Sequence, residues 1–128
     1  MHSGLDAITI AEAARLIASR KLSPVELATR KLSRIEALDA QVNAFITLTP
    51  EVALRQARLA EAEIASGTYR GALHGIPFGL KDIYATAGIR TTGHSKVCID
   101  NVPREDAAGT ERLYGAGAVL LGKLATHE

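Results

Sequence analysis

The first 67 residues repeat apolar positions with the period of an α-helix, and two of the repeats begin at capping signals. Thr9 stands three residues before Glu12, the spacing of a capping box, in which each side chain satisfies a free backbone donor at the helix start. Ser23 begins a second box and is followed by Pro24, a residue that needs no hydrogen bond at the first helical position. The pattern predicts one helix after Thr9 and another after Ser23 that ends near residue 40.

Residues 43–49 are short, β-branched and aromatic, and this composition predicts a strand. Thr49 and Pro50 then repeat the cap-and-proline signal and predict a third helix, with Thr49 as its cap. That helix is expected to end near Ser66 and Gly67, since glycine readily adopts the left-handed conformation that closes a helix.

From residue 68 the chain changes character, because glycines separate short apolar pieces. We expect strands over 78–85 and 118–122, loops over 88–93 and 96–105, and a helix capped by Asp106. Helices followed by a strand–helix–strand sequence indicate an α/β layered fold. In this interpretation 1–67 is mostly helical and 68–128 forms the strand–loop–helix–strand part of one domain. A buried strand so near the last residue leads us to expect the front part of a longer protein.

The composition is that of a globular protein, with 47% hydrophobic and 23% charged residues. Fifteen basic and 14 acidic residues leave a net charge of +1 without a basic block, which argues against a nucleic acid or an anionic membrane as the main partner. The one cysteine, Cys98, cannot form an internal disulfide. The first residues lack the pattern of a signal peptide, and no apolar run approaches the ~20 residues of a membrane span. We therefore expect a cytoplasmic protein.

Two other patterns carry little chemistry. Residues 117–123 match the phosphate-loop pattern G-x-x-x-x-G-K, but Leu124 follows where a magnesium-binding hydroxyl is needed, and the apolar residues between the glycines are expected to be a strand. The four histidines share no metal-binding spacing with each other or with Cys98. His74 and His94 lie near glycine-rich turns, but nothing in the sequence distinguishes them.

Lys81 is the candidate catalytic residue. It lies in the segment GIPFGLKD at residues 75–82, where apolar neighbours and two glycines surround it. Removing an ammonium group from water disfavours its charged form, so a lysine in such a setting can act as a general base or activate a nucleophile. The alternative is a structural lysine that reaches water and pairs with Asp82 or another neighbour.

Several runs of residues together resemble the amidase signature family. They are LSPVEL at 22–27, NAFI at 43–46, LHGIPFGLKD at 73–82, AGIRTTGHS at 87–95, the spaced pattern ERLxxAGAVxxGK at 111–123, and Glu128. The resemblance covers nearly the whole chain, and the ordered combination is specific.

The resemblance implies the N-terminal part of an α/β/α sandwich with a mixed central sheet, and an amidase that hydrolyses a carboxamide C–N bond. It implies a Ser–Ser–Lys triad in which Lys81 takes a proton, through a bridging serine, from a nucleophilic serine that forms an acyl-enzyme. Backbone N–H groups of a glycine- and serine-rich loop would stabilise the oxyanion. The expected ligand is a small-molecule amide, and neither a metal nor an organic cofactor is expected.

The sequence departs from the family pattern because it contains no glycine- and serine-rich run. Ser95 is the only serine after Ser66, and nothing supports it as the nucleophile. We therefore expect the 128 residues alone to be inactive. Such a piece would also leave sheet edges and apolar surface uncovered, which favours self-association.

Two alternatives stay open. The first is the A subunit of a tRNA-dependent amidotransferase, which uses the same triad to release ammonia from glutamine and works with partner subunits. The second is a non-catalytic α/β module or a truncated product. The coding region beyond Glu128 discriminates the second alternative from an enzyme. A glycine- and serine-rich run followed by several hundred residues favours the enzyme, and a stop codon excludes catalysis by this product.

Overall fold

The computed structural model describes residues 3–127, so Met1, His2 and Glu128 lie outside the described residues. The described part contains five α-helices and three β-strands. The helices are α1 Ser3–Asp6, α2 Ile10–Ala18, α3 Pro24–Val42, α4 Pro50–Ala65 and α5 Ala108–Gly115. The strands are β1 Phe45–Leu48, β2 Pro77–Lys81 and β3 Val119–Leu124.

Helices α2 and α3 begin at the predicted caps. The Thr9 hydroxyl accepts a hydrogen bond from the backbone N–H of Glu12 at 3.1 Å. The Ser23 hydroxyl accepts two, from Val25 and Glu26. Helix α3 continues slightly beyond residue 40 and ends at Asn43, whose φ of 51° lies in the left-handed region. Local sequence is sufficient for these starts because the donors and acceptors are only two or three residues apart.

At two other predicted caps the side chain makes no capping hydrogen bond. Thr49 precedes α4 as expected, but its hydroxyl donates to the carbonyl of Leu120 at 3.0 Å instead of capping the helix. Asp106 accepts a hydrogen bond from the N–H of Ala87 at 2.7 Å, and α5 begins two residues after it, at Ala108. In both cases a distant backbone group uses the side chain, so these residues tie segments together.

The sheet is mixed, as predicted, with strand order β1-β3-β2. The central strand β3 runs antiparallel to β1 and parallel to β2. Together with the helices that pack on it, this sheet confirms the α/β class. The predicted strand over 78–85 is shorter than expected and ends at Lys81, because Asp82 turns away to bind the returning loop. The predicted strand over 118–122 is shifted and longer, and β3 reaches Leu124.

The core lies between the helices and β3. Helices α3 and α4 approach the sheet through small residues, since Ala28, Ala53 and Ala57 are fully buried against Val119 and Leu121. A second cluster joins α2 and α3 to the start of β2. Close packing of alanine faces brings the helices near β3 without large side chains, which agrees with the low aromatic content of the chain.

The segments that enter β2 and β3 lie against each other. The N–H of Gly75 donates to the carbonyl of Gly117 at 2.8 Å. His74 is fully buried, and a Cβ atom on Gly117 would overlap its ring. Gly117 also has a φ of 82°, which favours glycine. This contact holds the starts of β2 and β3 next to each other.

No helix among residues 3–127 is long and apolar enough to span a membrane.

We predict that Gly117→Ala destabilises the protein more than Gly67→Ala. Both glycines have positive φ, and the backbone strain of alanine there costs about 1–3 kcal/mol. Only at Gly117 does the added Cβ also meet a buried side chain, whereas nothing lies within 4 Å at Gly67. Urea denaturation of the two variants measures the difference, and equal losses would show that His74 moves aside freely.

Candidate active site

Lys81 is the last residue of β2 and is half-buried. It pairs with Leu124 at the end of β3. Because these two strands are parallel, both end at the same edge of the sheet, and the loops that follow them meet there. Ligands of α/β proteins commonly bind at this edge, outside the carboxyl ends of parallel strands. The structure therefore places the predicted residue where an α/β protein can build a site.

The residue that follows Lys81 closes the next loop. Asp82 is fully buried, and its carboxylate accepts hydrogen bonds from the N–H and the hydroxyl of Thr92, at 3.0 and 2.7 Å. Its backbone carbonyl accepts from the N–H of Gly93, and its own N–H donates to the carbonyl of Leu124. The chain thus returns to the end of β2 ten residues later. The returning segment is hydrogen-bonded to Asp82, which in turn is hydrogen-bonded to the end of β3.

A second lysine lies beneath this loop. Lys123 is fully buried, and its Nζ donates to the carbonyl of Tyr84 and to the hydroxyl of Thr91, both at 2.9 Å. The same Nζ lies 3.3 Å from Oδ1 of Asp82, as an ion pair without hydrogen-bond geometry at that oxygen. Burial lowers the pKa of the Lys123 ammonium from its ordinary value, and the Asp82 carboxylate opposes the shift.

The sequence predicts that Lys81 is the lysine removed from water, whereas the fully buried lysine in the structure is Lys123. In the sequence, Lys123 belongs to the phosphate-loop pattern and is the last residue of the spaced pattern at 111–123. The structure excludes a phosphate loop because its residues form a turn and β3 itself. The signal that could have found it is its position directly after the apolar run at 118–122. The Nζ of Lys123 thus has two hydrogen-bond partners, Tyr84 and Thr91, and an ion-pair partner in Asp82.

His94 and Thr126 join the two loops at this edge. His94 has a φ of 64°, uncommon for a residue with a side chain. Its N–H donates to the hydroxyl of Thr92, and its Nδ1 lies 2.7 Å from the carbonyl of Thr126. Since a carbonyl only accepts, Nδ1 carries a proton and donates it to this oxygen. The Thr126 hydroxyl donates to the carbonyl of Gly93.

Ser95, for which the sequence offers no support as a nucleophile, accepts a hydrogen bond from the N–H of Val97 and begins the short 3₁₀ helix Lys96–Cys98. Among residues 3–127, no three His, Cys, Asp or Glu side chains are grouped as a metal site.

His74 is a further residue that sequence reasoning did not distinguish. Its Nδ1 accepts a hydrogen bond from the N–H of Arg70, so Nε2 carries the proton of the neutral ring and lies 3.5 Å from a carboxylate oxygen of Glu63. Arg70 binds the same carboxylate and lowers the pKa of Glu63. This group attaches the end of α4 to the segment before β2, and it lies away from the loops at Lys81.

The sequence model of the Amidase family matches residues 26–128. The chain belongs to the amidase family, the amidase-signature proteins that its motifs resemble.

Two curated relatives illustrate the range of the match. The A subunit of the glutamyl-tRNA(Gln) amidotransferase from Methylococcus capsulatus is 48% identical over 116 residues, which are 91% of this chain and 24% of the relative. Putative amidase AmiD of Mycobacterium tuberculosis is 41% identical over 127 residues, or 99% of this chain and 27% of that protein. The chain spans about a quarter of the length of the relatives it matches.

Solved structures give the same fold. The peptide amidase of Stenotrophomonas maltophilia superimposes with a TM-score of 0.86 at 36% identity, over 92% of this chain and 24% of that enzyme. Fatty acid amide hydrolase gives a TM-score of 0.89 at 26% identity, over 98% of this chain and 22% of that chain. The α/β arrangement described above is therefore that of amidase-signature enzymes.

We predict that Lys123→Met costs more stability than the double change Lys123→Met with Asp82→Asn. The single variant leaves a buried carboxylate without its cation, and breaking a buried pair in this way typically costs about 3–5 kcal/mol. The double variant removes both charges and keeps a side chain at 82 that can still accept from Thr92. Urea denaturation of the three proteins tests this, and a double variant less stable than the single one would contradict it.

Proposed function

We propose that the protein carrying this chain hydrolyses the C–N bond of a carboxamide, with Lys81 as the general base of a Ser–Ser–Lys triad. The observation that carries the proposal is the position of Lys81. It lies within the motif at 73–82, inside the region that the family model matches, and at the carboxyl end of a parallel strand. Family membership supports the reaction class, and the strand end supports a site at this edge of the sheet.

In the proposed mechanism, Lys81 accepts a proton relayed by a bridging serine from a second serine. The second serine attacks the amide carbonyl, the C–N bond breaks, and the amine leaves with a proton. Water then releases the acid from the acyl-enzyme. The base must be neutral at the start. The proposal therefore requires that Lys81 be shielded from water more completely in the full-length protein than in residues 3–127, where its side chain is half-buried.

The 128 residues contain no glycine- and serine-rich run to supply the two serines and the oxyanion donors. The only serine in the loops near Lys81 is Ser95, and its hydroxyl begins a 3₁₀ helix. We therefore propose that this piece alone has no amidase activity.

A second candidate function is that of the A subunit of a tRNA-dependent amidotransferase, which would release ammonia from glutamine. Several relatives of this name are 46–48% identical over 116–117 residues. The balanced charge of the chain, +1, agrees with a catalytic subunit whose partners hold the tRNA. The AmiD relative matches a longer stretch at 41%, and solved amidases share the fold, so we place the hydrolase first.

We predict that Lys81→Ala abolishes amide turnover by the full-length gene product and leaves folding intact. Loss of a general base typically lowers kcat by about 10²–10⁴-fold. Lys21→Ala is the matched control, because Lys21 is an exposed lysine in the turn after α2. Hydrolysis of a series of small amides, followed by ammonia release, measures the effect. An unchanged kcat in Lys81→Ala would exclude this residue as the base.

The two candidate functions predict different partners and substrates. A hydrolase turns over amides as an isolated protein, whereas the amidotransferase subunit releases ammonia from glutamine only together with co-purifying subunits. Ammonia release from glutamine by the isolated protein and by the copurified assembly distinguishes them. Glutaminase activity that depends on the assembly favours the amidotransferase, and turnover of simple amides without partners favours the hydrolase.

A further inference from the structure

We propose that the buried pair of Lys123 and Asp82 positions Lys81 for catalysis. It does so by fixing the backbone on which Lys81 stands and the loop that returns beside it. The inference concerns the same site as the proposed function, and its catalytic part rests on that function. Neither residue of the pair is proposed to touch the substrate, so both are positioning residues.

The pair holds both legs of the loop that begins after Lys81. On the outgoing leg, Nζ of Lys123 binds the carbonyl of Tyr84 at 2.9 Å. On the returning leg, it binds the hydroxyl of Thr91, and the Asp82 carboxylate binds the N–H and the hydroxyl of Thr92. The loop is therefore closed by one buried ion pair, which is itself anchored in the central strand β3.

The strand register shows that the pair acts through the backbone. Leu80 pairs with Lys123, and Lys81 pairs with Leu124. Paired residues of neighbouring strands share a face and successive residues alternate, so the side chains of Lys81 and Lys123 lie on opposite faces of the sheet. The link between them is the main chain at Asp82, whose N–H binds Leu124 and whose carbonyl binds Gly93.

The burial of these two charges is a second argument that the pair serves to position the backbone around Lys81. A lysine and an aspartate that are both fully buried are costly to keep, and an apolar pair of similar size often gives equal or greater stability. An apolar pair could not bind the carbonyl and the hydroxyl groups of two separate loop segments in a fixed direction. The pair therefore provides geometry, and the geometry is that of the residues on either side of Lys81.

The test compares two isosteric changes in the full-length gene product. Thr92→Val removes a buried hydroxyl that donates to Asp82 at 2.7 Å, and Thr49→Val removes a buried hydroxyl that donates to the carbonyl of Leu120 at 3.0 Å. Each variant loses the hydrogen bond that a nearly fully buried threonine donates, and Thr92→Val also loses the bond that its hydroxyl accepts from the N–H of His94 in the same loop. The Thr49 hydroxyl binds the central strand β3 and binds neither the pair nor the loop from 82 to 93, so its variant reports the cost of a lost buried hydrogen bond alone.

We expect Thr92→Val to lower kcat for amide hydrolysis by about 10- to 100-fold with a smaller change in KM, since small misplacements of a catalytic group have effects of this size. Thr49→Val should keep the kcat of the wild type, and Thr92→Ser, which retains the hydroxyl, should restore it. Hydrogen exchange of the peptide that spans 81–93 is the second readout, and it should rise in Thr92→Val alone.

Equal kcat values in Thr92→Val and Thr49→Val would overturn the catalytic role of the pair. Equal exchange of the 81–93 peptide in the two variants would overturn the positioning role altogether. A wild-type protein that hydrolyses no amide would refute the proposed function instead. In that case faster exchange confined to Thr92→Val would still support the positioning of the Lys81 backbone, and unchanged exchange would refute it.

Discussion

The buried ammonium group of Lys123 is the constraint around which the irregular part of this structure is organised. A charge without water needs oxygen partners on every donor, and β3 alone cannot supply them. The partners come from the segment after β2, which contributes a carboxylate, a carbonyl and a hydroxyl from Asp82, Tyr84 and Thr91. A loop without regular secondary structure thereby acquires a single defined path, because departure of any partner would leave the buried ammonium group without one of its oxygens.

The strand that carries Lys123 is also the strand on which the rest of the fold depends. β3 is paired on both sides, and the helices α3 and α4 pack on it through alanines. Small residues are needed for this. A Cβ on Gly122 would meet the backbone of β1 at the carbonyl of Thr47, and one on Gly117 would meet His74. Positioning of Lys81 at the end of β2 follows from the register with β3, so the same close contacts that build the sheet also set the location of the candidate base.

The parts of the fold that local sequence determines were predictable. Caps such as Thr9 and Ser23 use donors within three residues, so their helices could be predicted from neighbours alone. Thr49 and Asp106 carry the same local signal, yet their side chains bind Leu120 and Ala87, which are distant in sequence. The burial of Lys123 likewise depends on a loop that lies far earlier in the chain. The local sequence pattern therefore indicated which residue types carry chemistry, but it could not show which lysine is removed from water.

The comparison of Lys81 with Lys123 shows that a lysine that acts as a base has two separate requirements. One is a fixed position, and the chain meets it, since β2, β3 and the loop from 82 to 93 hold the backbone on either side of Lys81. The other is removal from water, and the described residues meet it only in part, because Lys81 is half-buried at a strand that pairs on one side alone. If Lys81 is the base, the groups that relay its proton must also cover it. A serine relay placed over the end of β2 would do both, because the same atoms that accept and donate the proton would displace water from the amine.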